Sequence, residues 1–115
     1  MVEKLINKTK EQDVAEEVVL AESMSQRMVG LMFQKDFPEN QTMWIQKCNW
    51  IHTFFMKFPI DVIFVDKNLV VKKVKRNISP WRLPGPVLSA TSVFEFTAGQ
   101  VQDNIEVGDQ LYVGT

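Results

Sequence analysis

The stretch PIDVIFVDKNLVVKKVKR, residues 59–76, decides the fold class of this chain. After Pro59, residues 60–66 form an almost continuous run of β-branched and aromatic side chains, which is typical of a deeply buried strand. The polar turn at residues 66–68 separates this run from a second one, residues 69–76, in which valines and basic residues are mixed. The pattern predicts a β-hairpin whose first strand lies in the core.

Further strands are expected on both sides of this hairpin, because short runs rich in aromatic and β-branched residues recur between turn residues. They cover residues 2–9, 14–21, 42–46, 50–56, 92–99 and 105–114. Residues 77–91 hold three of the five prolines and should form a long irregular loop. Many short strands of this kind favour a β-sandwich or a barrel-like fold.

One helix is expected between the second and third of these strands. Ser23 fits the N-cap position, and Gln26 stands three residues later, which is the spacing of a capping box. The apolar residues that recur at the spacing of one helical face are Met24, Met28, Leu31 and Met32. Pro38 lies in the segment that ends the helix. The sequence therefore predicts a mainly β single domain over residues 1–115, with one α-helix packed at one end.

Composition excludes several classes of partner. At 115 residues the chain has room for one domain, and its formal net charge of -1 creates no overall field for nucleic acid or an anionic membrane. Cys48 has no second cysteine to pair with, which favours a reducing compartment. The N-terminal residues lack the pattern of a signal peptide, and no run of apolar residues is long enough to span a membrane. A cytoplasmic location is expected.

Four blocks of sequence carry a resemblance to a known family. They are RMVGLMF (27–33), FFMKFPIDVIFVDKNLVV (54–71), VFEFTAGQ (93–100) and IEVGDQLYV (105–113). In this order and at these separations they resemble the bacterial and archaeal family called domain of unknown function 192, over about residues 14–113. The resemblance implies a compact β-rich sandwich or barrel with one helix at an end, and no established activity. Where the commoner family pattern has an Asn-Thr pair, this chain has Phe58-Pro59, and its Cys48-to-His52 segment would mark a subgroup.

Cys48, His52 and Met56 recur every four residues, and their sulfur and imidazole groups are ligands that soft metals prefer. In the strand expected over residues 50–56, however, positions four apart are separated by about 13 Å. One metal ion cannot bridge that distance, so neither a metal nor another cofactor is expected. The favoured interpretation places Cys48 and Met56 in the core and has His52 donate to a backbone carbonyl. A Cys48–His52 nucleophile stays open as an alternative that needs a bend near Trp50.

Asp61 is a second candidate, because it begins the most apolar strand. A buried carboxylate is costly unless it is paired or hydrogen-bonded. The cations available near the motif blocks are Arg27, Lys57 and Arg82. Asp61 is therefore expected to cap a turn after Pro59, to hold Arg27, or to form with Lys57 the polar floor of a cleft.

Glu95 lies between Phe94 and Phe96, so alternation along the strand points it away from both rings. It is expected to face solvent or to form the wall of a pocket. Asp61 and Glu95 together would offer two carboxylates for acid–base hydrolysis, as in glycosidases. The sequence does not fix their separation, so the hydrolase is an alternative to a non-catalytic role.

The proline-rich loop presents Trp81 and Arg82 on a stiff backbone, which suits the capture of a ligand or peptide at low entropic cost. An equally open interpretation has Trp81 plug the end of the sandwich. One basic run stands in the second strand of the hairpin, namely Lys72, Lys73, Lys75 and Arg76. It puts charges on both strand faces, which is typical of a protected sheet edge rather than of a nucleic-acid groove.

Together these features favour a small cytoplasmic binding or accessory module rather than an enzyme. Its expected cleft holds a small polar ligand or an extended segment of a protein partner, without nucleic acid or membrane. The binding residues are Arg27, Lys57, Asp61, Trp81, Arg82 and Glu95. The alternatives are a small hydrolase, using Asp61 with Glu95 or Cys48 with His52, and a structural component of a larger assembly. The oligomeric state is not determined by the sequence.

Overall fold

The computed structural model describes residues 2–21, 31 and 34–115. Within these residues the chain forms eight strands and no helix. The strands are β1 (Lys4–Asn7), β2 (Gln12–Ala15), β3 (Glu17–Leu20), β4 (Gln41–Gln46), β5 (Ile60–Val65), β6 (Val71–Ile78), β7 (Ser92–Thr97) and β8 (Leu111–Gly114). The predicted helix, with Arg27, lies outside the described residues apart from Leu31. No helix in the described part is long and apolar enough to cross a membrane.

The described strands form two sheets. The larger sheet has the order β3-β4-β7-β5-β6, and the smaller one has the order β2-β1-β8. All neighbours are antiparallel except β3 and β4, which run parallel. The arrangement is a sandwich and not a closed barrel, so the sandwich prediction is confirmed and its barrel-like alternative is wrong.

The predicted hairpin is confirmed and lies at the centre of this architecture. Every residue of β5 is buried, and β5 pairs with both β6 and β7. The turn closes on Asp66, whose Oδ1 accepts the backbone N–H of Asn68 at 2.9 Å and of Val70 at 3.0 Å. β6 is the last strand in its sheet, as the basic run predicted.

Two apolar clusters fill the molecule. The inter-sheet core lies between the two sheets, and its members include Leu5, Val14, Ile63, Phe94, Phe96 and Leu111. The outer-face core lies on the other side of the larger sheet, and its members include Met43, Val62, Phe64, Val93, Ile51 and Met56. Because side chains alternate along a strand, neighbouring residues of β5 and β7 contribute to different cores. Among the described residues no second sheet lies over the outer-face core, and segments between strands, such as the one that carries Ile51 and Met56, pack there.

The strand predicted over residues 50–56 is wrong. β4 ends at Gln46, and Lys47 follows with a left-handed backbone, φ 55°, that extended strands do not adopt. The backbone then pairs with the loop after β6: Val87 N–H donates to the carbonyl of Asn49 at 2.8 Å. The runs predicted over residues 14–21 and 105–114 are also shorter, since the first divides at Glu16 between the two sheets. Aromatic and β-branched content does not reveal which backbone a segment pairs with.

Candidate functional site

The most prominent exposed feature is a chain of five aromatic rings, here called the aromatic surface: Trp50, His52, Phe54, Phe55 and Trp81. Trp50 is 50% exposed and Trp81 is 56% exposed. The ring centroids of His52 and Phe54 are 4.9 Å apart, and those of Phe55 and Trp81 are 4.8 Å apart. Phe54 also contacts Trp81, at 5.9 Å, so the segment after Cys48 and the proline-rich loop form one continuous patch.

Hydrogen bonds of Thr53 link the segment after Cys48 to the proline-rich loop. Its side chain is fully buried, and its hydroxyl donates to the carbonyl of Ser79 at 2.7 Å and accepts the N–H of Arg82 at 2.7 Å. Its backbone N–H donates to the carbonyl of Arg82, and its own carbonyl accepts the N–H of Trp81. These bonds fix the backbone of both loops and thereby the position of the rings.

The rings point outward because other residues of the same segment are anchored inward. Ile51 and Met56 are 6% and 5% exposed and pack in the outer-face core. Phe55 and Trp81 adopt left-handed backbone with φ 64° and 65°, a conformation that bulky L-residues rarely show. The backbone therefore displays these two rings at some conformational cost.

The two segments that carry the aromatic surface have acidic residues neither within nor beside them. Residues 40–60 and 67–94 contain no aspartate or glutamate, although the whole chain has 14 of them. Lys57 follows the first loop and Arg82 follows Trp81, and both side chains are exposed. Anionic groups would therefore meet attraction and no fixed repulsion from these two segments.

Asp61 serves the fold. It is 1% exposed, and its Oδ1 accepts the N–H of Asn77 at 2.8 Å. Its Oδ2 accepts the N–H groups of Gly99 at 3.0 Å and Val101 at 3.2 Å, which belong to the turn after β7. The carboxylate thus satisfies three backbone donors, of which the N–H of Val101 is buried, and joins β6 to the far end of β7. This is turn capping, although the capped turn is not the predicted one after Pro59.

Glu95 is buried on the opposite face of the same sheet. The register pairs Glu95 with Val62 and Asp61 with Phe96, so the two carboxyl groups project from different sides. Glu95 is 2% exposed, and no described residue hydrogen-bonds its Oε1. Burial raises the pKa of Glu95 to about 7. It is neither solvent-facing nor joined with Asp61 in one cleft.

Cys48 and His52 bond to different backbone groups. The Cys48 thiol donates to the carbonyl of Trp50 at 2.9 Å, whereas His52 Nδ1 accepts the N–H of Phe54 at 3.2 Å. The prediction that His52 donates to a carbonyl is thus wrong for this nitrogen. Burial raises the pKa of the Cys48 thiol, and the nearby charge of Glu95 adds to the effect. Within the described part of the chain, no three His, Cys, Asp or Glu residues lie close enough to hold a metal ion.

The predicted cleft is only partly assembled. The structure joins Trp81 and Arg82 to the aromatic surface, while Asp61 and Glu95 lie on opposite faces of the sheet. Sequence reasoning missed Trp50, Phe54 and Phe55 as surface residues, because the segment was assigned to a strand. The adjacent Phe54-Phe55 pair was the available signal: neighbouring strand residues face opposite sides, so a single buried face would have exposed one of them.

Comparison with known proteins gives a family match and a relative of similar length. The family model DUF192, described as Uncharacterized ACR, COG1430, matches residues 5–113. The UPF0127 protein PH1112 of Pyrococcus horikoshii is 34% identical over 114 residues, which cover 93% of this chain and 96% of that protein.

Two solved structures share the fold. A protein of Sinorhizobium meliloti 1021, provisionally described as a transcription regulator, matches with a TM-score of 0.78 at 21% identity, over 96% of this chain and 91% of that one. A protein of unknown function from Novosphingobium aromaticivorans matches with a TM-score of 0.75 at 18% identity, over 97% of this chain and 84% of that one. At these identities the likeness extends to the fold alone.

Proposed function

The chain belongs to the DUF192 family, and we propose that it is a small binding or accessory module that holds an extended segment of a protein partner on the aromatic surface. The observation that carries the proposal is the continuous, exposed chain of rings from Trp50 to Trp81. Isolated apolar residues are common on protein surfaces, but a contiguous exposed patch marks an interaction site.

The physical properties of the patch suit a partner of this kind. Tryptophan and phenylalanine bury large areas and lose few rotamers on binding, so they dominate the energetics of interfaces. The rings lie on the outside of two loops, and an extended segment can cover several of them at once. The hydrogen bonds of Thr53 fix both loops, so the site needs little rearrangement. A cytoplasmic location is part of the proposal and rests on the lone Cys48.

Selection of peptides on the purified chain tests the proposal. Random twelve-residue peptides displayed on phage are selected on the wild-type protein and then measured individually against variants. Trp81→Ala should weaken binding by about thirtyfold, since removal of an interface hot spot costs about 2 kcal/mol or more. The matched control is Leu88→Ala, because Leu88 is an apolar residue of the same loop, 85% exposed, outside the chain of rings.

The results of the peptide selection either support or refute the proposed site. Selected peptides that lose affinity with Trp81→Ala but keep it with Leu88→Ala support the proposed site. Selection of no peptide, or of peptides indifferent to Trp81 and Phe55 substitutions, would overturn it. Circular dichroism and thermal unfolding of each variant show whether the fold is retained.

A further inference from the structure

The outer edge of β6 continues the proposed binding surface. β6 is the longest strand, with eight residues, and stands last in its sheet. From Lys72 to Ile78 no backbone hydrogen bond from any described residue reaches its outer edge. Unpaired edge groups of this kind are a template for an added strand.

Two of the four cationic side chains of β6 project on the same face of the sheet. Lys73 pairs in register with Phe64 and Lys75 with Val62, so both lysines project on the side of the outer-face core. Neither lysine has a hydrogen bond or ion pair with any described residue. The other two cations of the strand are engaged: Lys72 contacts Asp66 at 3.5 Å, and Arg76 donates to the carbonyls of Gln102 and Ile105.

The edge leads directly into the aromatic surface. The chain passes from Ile78, the last residue of β6, to Trp81 in three residues, so the two residues lie within about 10 Å of each other. Thr53 holds this connection through the carbonyl of Ser79. The backbone bends at Pro80 and Trp81, so the rings lie beside the end of the edge rather than in line with it. The segment 50–56 lies over the same side of the sheet as Lys73 and Lys75, since Ile51 and Met56 pack in the outer-face core.

We infer that the partner segment is acidic and binds as a strand added to β6; this inference rests on the proposed function. Its backbone pairs with the open edge, carboxylates at alternate positions meet Lys73 and Lys75, and an apolar end covers the aromatic surface. Charge complementarity selects this occupant, because residues 67–94 carry cations and no acidic group. A second copy of this chain is disfavoured, since pairing of two such edges would oppose lysine with lysine.

Fluorescence anisotropy with labelled peptides tests the inference. The probe is a ten-residue peptide with glutamate at alternate positions of one half and tryptophan, proline and leucine in the other. It is made in both block orders, together with a twin in which every glutamate is glutamine. The glutamate probe should bind about tenfold tighter than its twin at low salt, and the difference should shrink at 0.5 M NaCl.

Variants locate the interaction. The double substitution Lys73→Glu with Lys75→Glu should remove the preference for glutamate, whereas the charge-matched control Lys35→Glu with Lys67→Glu should keep it. Hydrogen exchange at the amides of residues 72–78 should slow when the probe binds.

The failures of the two proposals are distinguishable. Equal binding of the glutamate and glutamine probes, both dependent on Trp81, would overturn the acidic partner and leave the aromatic site standing. Binding independent of Trp81, or no binding of either probe, would overturn both. Tighter binding of a ten-nucleotide thymidine strand, or dimerisation abolished by the β6 substitutions, would also refute the inference.

Discussion

Replacing Glu95 with glutamine tests how the larger sheet tolerates a carboxyl group in its outer-face core. In the unfolded chain this carboxyl has an ordinary pKa of 4.5, and burial raises it to about 7 in the folded protein. Between these values the native state holds a proton that the unfolded state has released, so the free energy of unfolding falls as pH rises. At 1.36 kcal/mol for each pH unit, the full difference corresponds to roughly 3 kcal/mol above pH 7.

Glutamine has nearly the shape of the protonated side chain and never ionises. Glu95→Gln should therefore match the wild type near pH 4.5 and exceed it by roughly 2–3 kcal/mol at pH 8. Urea unfolding between pH 4.5 and 8 measures this, with Glu39→Gln as the control at an exposed carboxyl. A wild type whose stability does not decline over this range would refute the reasoning. So would a glutamine variant that is less stable at pH 8, since it would show that the buried charge is compensated.

Three further outcomes are expected. Asp61→Ala removes the acceptor of three N–H groups, one of them buried, and should lower the free energy of unfolding in urea by about 2–4 kcal/mol; a cost below 1 kcal/mol would contradict its capping role. Burial opposes ionisation of Asp109, but Asn7, Lys10 and the Glu106 N–H lower its pKa overall, so its stabilising contribution should be lost only as pH falls below 3.8. Asp109→Asn should weaken the pH dependence of the free energy of unfolding in that range, and an unchanged pH dependence would contradict this role of Asp109. Cys48 should react with iodoacetamide at higher pH than a free thiol, and Glu95→Gln should move its reactivity curve to lower pH, whereas coincident curves would exclude their coupling.

The sequence was most informative where a single pattern determined both burial and pairing. The apolar run after Pro59 and the turn at Asp66 predicted the β5–β6 hairpin, and the mixed charges of the second run predicted a sheet edge. Alternation also placed Glu95 correctly, on the face opposite Phe94. Each of these inferences depends only on residues that are close together in the sequence.

Inferences that depend on distant segments were less successful. Glu95 is buried because loops from elsewhere in the chain cross the outer face of the sheet, and no local pattern encodes that crossing. The segment 50–56 has strand-like composition, yet its backbone bonds go to the loop that follows β6. Asp61 was expected to need partners, but backbone donors such as Asn77 N–H carry no side-chain signature.

The left-handed backbone at Phe55 and Trp81 has a consequence for laboratory evolution of this protein. Glycine at either position would relieve about 1–2 kcal/mol of steric cost while deleting a ring. Libraries screened only for heat resistance should therefore drift toward glycine at these two sites, whereas libraries screened for capture of a ligand should retain the aromatics. The two screens therefore favour different residues at the same positions. The residues recovered would show whether each position contributes to ligand capture or only to stability.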